Sequence, residues 1–289
     1  MPKALSDIEP PAANGNPQDV QKRLTSAEKH LHALCDVNSL PQSSREEIYR
    51  RLLPASELQR FGIDADAPFG AENPLVELEA PEGSGIATIK VWPAPGSTDP
   101  LIQIEVLDNC LSQLELLLLV INDPDSERFG TDRDWQGERT MFGTVRRNIP
   151  EETRAMKAGL APGQVRRGLR LSRVLFQAFE EFARGLGRDF YVVEPLAYHN
   201  AILFERLGFN YIRGLERMRW IHQEFQPGGS LHEALDGSTP FRQPDAWLTA
   251  RGRSWAIHDG VLGEPWHGIN MVKFVGKKAG VETFPDGIY

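Results

Sequence analysis

The sequence predicts an α/β (α+β) fold, a mixed sheet flanked by helices, and three observations carry that prediction. Segments IATIKVWPAP (86–95) and PLIQIEVLDN (100–109) alternate apolar and polar residues, as half-buried strands do. LELLLLVIND (114–123) is a continuous apolar run closed by turn residues, which fits a buried central strand. LSRVLFQAFEEFARGLG (171–187) then repeats apolar residues at helical spacing, through Leu171, Val174, Leu175, Ala178, Phe179 and Phe182.

The totals allow such a fold and narrow its function. The 289 residues are 40% hydrophobic and 25% charged, enough for one large domain or a domain with appendages. A net charge of −8 argues against a generic nucleic-acid binder, so any basic patch is local. Cys35 and Cys110 stand far apart without a CxxC partner, which makes a disulfide scaffold or a cysteine zinc site improbable. The first twenty residues lack the apolar stretch of a secretory signal, and the longest apolar run, 114–121, is too short for a bilayer. A soluble, cytoplasmic protein without a membrane span is expected.

Taken in order, residues 1–17 are rich in Pro, Ala and Asn, and disorder is expected there. Residues 18–74 read as a helical N-terminal extension. Within it, SREEIYRRLL sets Ser44 three residues before Glu47, a capping-box spacing, and Ile48, Leu52 and Leu53 supply an apolar stripe between Pro41 and Pro54. The main domain is expected over 75–225. After the central strand, the polar 122–138 reads as a long hairpin loop and RTMFGTV (139–145) as a shorter strand. Gly185 or Gly187 can stop the long helix. DFYVVEP (189–195) reads as a strand, AYHNAILFERLGF (197–209) as a helix, and NYIRGLERMRWIHQEF (210–225) as one or two strands. Residues 226–289 are irregular and rich in Gly, Pro and Trp, and are expected to form a C-terminal extension packed on the domain.

GQVRRGLRLSR (163–173) poses a charge problem. It reads as the first turns of a helix, whose N-terminus carries partial positive charge, yet it holds Arg166, Arg167, Arg170 and Arg173. Arg166, Arg170 and Arg173 fall at i, i+4 and i+7, on one helical face. Either an anion sits against them, as a diphosphate would at a helix start, or they form a solvated face paired with acids such as Glu180, Glu181 or Glu151 and Glu152.

Two segments carry a resemblance. APGQVRRGLRLSRVL is similar to the pyrophosphate-binding turn of the GNAT acyl-CoA N-acyltransferases, with Gly168 at the central glycine. NAILFERLGFNYI resembles that family's late helix, Gly-Phe turn and strand, through Asn200, Ala201, Leu207, Gly208 and Phe209. The motifs cover about 50 residues, and the strand pattern extends the likeness to roughly 85–222. Val165 and Arg170 depart from the turn's pattern, and Phe204 stands where many relatives have a tyrosine that protonates the leaving thiolate.

The resemblance implies a GNAT-like sheet that binds acyl-CoA as co-substrate, or a carrier-bound acyl thioester, and transfers the acyl group to an amine. Arg166, Arg167, Gly168, Leu169 and Arg170 would hold the phosphates, and Glu194, Tyr198 or His199 would supply proton chemistry. Each has a plainer reading: Glu194 as an arginine's partner, His199 as a surface or cap-adjacent histidine. No metal is expected. Asp123, Asp125, Glu127, Asp132 and Asp134 miss the EF-hand register, and His30, His32, His258 and His267 lack zinc spacing. Trp247, Trp255 and Trp266 read as core or interface. A non-catalytic CoA-binding module and an arginine-faced protein-interaction module remain the alternatives.

Overall fold

The computed structural model describes residues 25–26, 29–67, 69–70, 73–143 and 145–288. The tail expected at 1–17 lies outside the described residues, as does the side chain of His30. Among the described residues the chain is mixed α/β, with a seven-stranded mixed sheet and nine α-helices. A separate two-stranded ribbon pairs Thr25–Ser26 with Lys29–His30.

The sheet strands are β1 (Val76–Glu79), β2 (Ile86–Val91), β3 (Ile102–Asp108), β4 (Leu114–Ile121), β5 (Phe190–Val193), β6 (Asn210–Arg213) and β7 (Asn270–Phe274). Their order is β1-β2-β3-β4-β5-β7-β6. Neighbours run antiparallel except β4 and β5, which are parallel. The alternation read in β2 and β3 is realised: Ala87, Ile89, Val91, Ile102, Ile104 and Val106 are buried, and the residues between them are not. The apolar run of β4 takes the middle place of the seven.

Helices α1 (Leu34–Asn38), α2 (Gln42–Arg50) and α3 (Ala55–Leu58) form the N-terminal region, and α5 (Ser172–Gly185) and α6 (Tyr198–Arg206) flank β5 in sequence. Tyr49 of α2 stacks on Phe182 of α5 at 5.9 Å, and Phe179 meets Tyr191 of β5 edge-on at 4.7 Å. One continuous apolar core thus joins the N-terminal helices to the sheet through α5. A smaller cluster of Phe129, Ala155, Leu160, Phe241 and Trp255 joins α4 (Ile149–Lys157) to α9 (Ala250–His258).

Several local expectations are corrected. Helix α2 starts at Gln42, behind Pro41, so Ser44 lies inside it and caps nothing. The fixed φ of proline suits a helix start, and the Pro41 carbonyl already accepts from Ser44 and Arg45. RTMFGTV is no strand, because Met141, Phe142 and Gly143 all take left-handed backbone, which breaks any ladder. The polar loop ends in a helix the sequence reading missed, α4, whose Asn148 side chain accepts from the Glu151 amide and whose first turn holds Pro150, Glu151 and Glu152.

NYIRGLERMRWIHQEF splits at Gly214 (φ 97°) into β6 and helix α7 (Leu215–Glu224), which buries Met218 and Ile221, with Phe225 at its C-cap. That is helical spacing, not strand alternation. The remaining helix is α8 (Ser230–Glu233). The C-terminal segment supplies more than packing, since β7 inserts between β5 and β6.

The opening-turn reading of the arginines is also corrected. Helix α5 begins at Ser172, so Arg166, Arg167 and Arg170 lie in the loop before it and share no helical face with Arg173. The loop's backbone bonds sideways instead: the Asp123 amide donates to Arg167 O at 2.7 Å and the Phe129 amide to Val165 O at 2.8 Å. Arg170 itself is left-handed (φ 61°), which no helical turn accommodates.

Candidate functional site

The parallel pair β4/β5 sets the site. Its register couples Glu115 to Val192 and Leu116 to Val193, where β5 ends. On the other side of β4, Glu105 faces Leu118 while Val106 faces Leu116, so Leu117 is the extra residue of a bulge. A bulge leaves one residue out of the ladder and turns its backbone groups aside. Past this point a cavity of about 460 Å³ opens, lined by Leu117, Leu119 and Ile121 from β4 and by Glu194 and Leu196 after β5.

The loop before α5 borders the same cavity through Gln164, Arg167, Gly168, Arg170 and Ser172. Gly168 is needed for close approach: a Cβ there would stand 3.3 Å from the Ile121 carbonyl. Arg170 is exposed and makes no hydrogen bond or ion pair among the described residues. Arg167 is exposed too; its side chain donates to Ala158 O at 3.1 Å and its amide to Ser126 Oγ at 3.2 Å. Leu169 packs against the core.

Arg166 is different. Its Nε donates to Asp99 at 2.9 Å and its Nη1 to the Ser126 and Pro124 carbonyls, and it does not line the cavity. Asp99 also accepts a forked bond from Arg128. Burial works against the Asp99 charge, but the two guanidiniums outweigh it and hold the carboxyl below the usual aspartate range. Arg166 is therefore a strut between loops.

Of the three residues expected to move protons, two reach the cavity. Glu194 is exposed and lines it. His199, on α6, lines it while only 5% exposed. Its Nδ1 lies 2.9 Å from Ser254 Oγ, which also accepts from the His199 amide. Burial first, then the charges of Arg251 and His258, push its pKa down to about 3, so the ring is neutral at pH 7. The ordinary histidine pKa near 6.5 that would suit a proton shuttle is lost.

Tyr198 faces elsewhere. It is fully buried, its hydroxyl accepts from Arg253 Nη1 at 3.4 Å, and it is not a lining residue. Burial pushes its pKa up to about 12. Phe204 does line the cavity, edge-on to Phe176 at 5.5 Å, and offers no hydroxyl.

The C-terminal segment reaches the site in ways its irregular sequence did not announce. Arg251, in the first turn of α9 after the Thr249 cap, lines the cavity. Ser254 holds His199, and Trp266 Nε1 donates to Pro195 O at 2.8 Å, bracing the turn after Glu194.

Among the described residues no group of three His, Cys, Asp or Glu side chains could hold a metal ion. The acids of the long loop bind protein groups instead: Asp132 pairs with Arg128 and Asp134 with Arg146. His258 faces Glu152, His267 faces Pro265 O, and Trp255 is buried in the smaller core. Among the described residues no helix is long and apolar enough to cross a membrane. Neither a protein-family model nor a curated protein nor a solved structure matches the chain.

Proposed function

We propose that this cavity binds the pantetheine arm of an acyl thioester, from coenzyme A or a carrier, and that the protein transfers the acyl group to an amine. One observation carries the reading: two parallel strands whose pairing ends at a bulge, with a cavity opening between them and arginines at its rim. The resemblance of 160–212 to the GNAT acyltransferases agrees with that arrangement.

In this reading Arg167 and Arg170 meet the phosphates, while Gly168 lets the loop backbone approach them. The bulge at Leu117 offers backbone donors to the thioester oxygen as it gains charge. Glu194 takes a proton from the incoming ammonium. The amine nitrogen then attacks the carbonyl carbon, the C–S bond breaks, and the thiolate takes up the second proton the nitrogen sheds. The products are an amide, a free thiol and one proton released to solvent.

Phe204 cannot deliver that second proton. His199 and Asn200 are the polar residues of the same helix that line the cavity, and a Ser254 hydroxyl that accepts from the His199 amide directs its own hydrogen to Nδ1. The imidazole hydrogen then sits on Nε2, where it can donate a hydrogen bond to the leaving thiolate without giving up its proton. A non-catalytic binding module is the second reading, favoured by Phe204 at the position of the usual acid.

Free-thiol release from acetyl-CoA and a long-chain acyl-CoA, with and without pooled amines, tests the proposal. Release that needs an amine, with a KM for acyl-CoA raised at least tenfold in R167A/R170A, is expected. Saturable CoA binding without amine-dependent release would leave only the binding module. Neither binding nor release would overturn both readings.

A further inference from the structure

The polar loop between β4 and α4 keeps large apolar side chains in water. Trp135 is 86% exposed, and Phe142, Val145 and Ile149 are exposed close by in sequence. Singly such side chains are ordinary, but grouped in one short segment they mark an interaction surface. Their exposure is built into the backbone. The Asp134 amide donates to Glu138 O and the Thr140 amide to Asp132 O, so residues 132–140 form a short hairpin with Trp135 at its tip. Phe142 takes left-handed backbone (φ 56°), which costs an L side chain energy, and its ring still stays 52% exposed.

The same segment concentrates arginine. Arg133, Arg139 and Arg146 are exposed, and the exposed acid among them is Glu138. Arg146 takes up the charge of the buried Asp134. Arg133 and Arg139 stand opposite each other across the hairpin, where like charges repel, and neither forms an ion pair among the described residues. On a chain of net charge −8, such a cluster selects an anionic partner.

This surface is continuous with the cavity mouth. Thr140 Oγ1 donates to Thr131 O at 2.8 Å, and Thr131 Oγ1 donates to Gln164 O at 3.0 Å. Phe142 lies against Gly163, where a Cβ would stand 3.2 Å from its ring. Gln164 lines the cavity together with Arg167 and Arg170. A small donor that fills the cavity leaves the hairpin bare, whereas a protein that presents the acyl group on a tethered arm covers both. Trp, Phe and Arg are the side chains enriched at the buried centres of protein–protein interfaces. Lysine, which a lipid surface would draw on equally, does not occur between Thr131 and Ile149.

We infer that the hairpin 132–140, with Phe142 and Val145, docks an acidic carrier protein that threads an acylated phosphopantetheine arm into the cavity past Arg167 and Arg170. The inference rests on the acyl-transfer reading above and names its donor. Trp135 and Phe142 fill the centre of the contact, and Arg133 and Arg139 meet the carrier's carboxylates. Coenzyme A shares the arm and enters the same cavity without this contact.

The experiment compares two donors of one acyl length, acyl-CoA and an acylated, purified acyl carrier protein of fatty-acid synthesis, each with pooled amines. The wild type should prefer the carrier by at least tenfold in kcat/KM, and the preference should shrink as salt rises. W135A/F142A and R133E/R139E should each raise the KM for the acyl-carrier at least tenfold, leave kcat/KM for acyl-CoA as in wild type, and melt as wild type. Calorimetry reads binding of the unacylated carrier, with its arm in place, to the same three proteins. Sedimentation with vesicles of phosphatidylglycerol and phosphatidylcholine reads membrane binding.

Equal use of the two donors, or a carrier preference that both variants keep, overturns the docking surface and leaves acyl transfer standing. Carrier binding that both variants abolish, without thiol release from either donor, upholds the surface and removes the transferase. No carrier binding overturns the inference, and vesicle binding lost in W135A/F142A would then assign the patch to a membrane.

Discussion

Arg166 and Arg170 are four residues apart in one arginine-rich loop, yet Arg166 is tied to Asp99 and two carbonyls while Arg170 is exposed at the cavity. Replacing Arg166 by alanine removes the bond to Asp99 at 2.9 Å and the bonds to the Ser126 and Pro124 carbonyls at 2.5 and 3.2 Å. Hydrogen bonds to charged groups contribute about 1.5–3 kcal/mol each when buried. The Arg166 side chain is 19% exposed, so water can re-satisfy the carbonyls, and Asp99 keeps Arg128. The expected loss is therefore about 2–3 kcal/mol in total, well below the sum of three buried bonds. For a chain of this size that lowers the melting temperature by about 3–5 °C.

Arg170 is exposed, without a hydrogen bond or ion pair among the described residues. R170A should thus cost no more than about 0.5 kcal/mol. Thermal and urea melts of the two variants beside wild type make the comparison. R170A should melt as wild type yet bind CoA more weakly. Equal melts for the two variants, or a larger loss in R170A, would refute the division of this loop into a strut and a rim.

His199 gives a pH signature. Its folded pKa of about 3 lies below the unfolded value near 6.5, so between them the unfolded chain binds a proton the folded chain does not. The neutral ring's contribution is whole above pH 6.5 and falls as pH drops, by ~2 kcal/mol at pH 5. In urea melts the stability difference between pH 8 and pH 5 should shrink by about that amount in H199Q, and an unchanged difference would contradict a buried neutral imidazole. S254A should lower kcat more than it changes KM, because it frees the ring rather than the substrate; rapid-quench turnover reads this, and a pure KM effect would contradict it. G168A should weaken CoA binding and cost about 1 kcal/mol, since its methyl would crowd the Ile121 carbonyl from 3.3 Å; a melt and a CoA affinity both equal to wild type would show that the loop yields freely.

Patterns confined to one segment were legible in the sequence. Strand alternation announced β2 and β3, the unbroken apolar run announced β4, and helical spacing announced α5 and α6. Helix α4 was equally announced by Asn148, Pro150 and the acids of its first turn, and was passed over inside a polar stretch. Helix α7 was misread because the short apolar pieces around Trp220 and Ile221 mimic alternation, and only the break at Gly214 separates strand from helix.

What depends on long-range placement was not legible. The loop of Arg166 looks helical until its backbone is seen bonded to residues 123 and 129. Glu194 and His199 were within reach because they flank one strand end. Arg251 was not, since β6, α7 and α8 separate it in sequence from His199 and Asn200 and no local pattern marks it. The ionisation of His199 follows from burial, which no motif encodes.

Calorimetric titration of CoA into the wild type, R166A and R167A/R170A tests the central claim most directly. The account predicts one saturable site in the wild type and an affinity at least tenfold weaker in R167A/R170A, with R166A losing stability more than affinity. No binding of CoA to the folded wild type, or an affinity indifferent to Arg167 and Arg170, would contradict it.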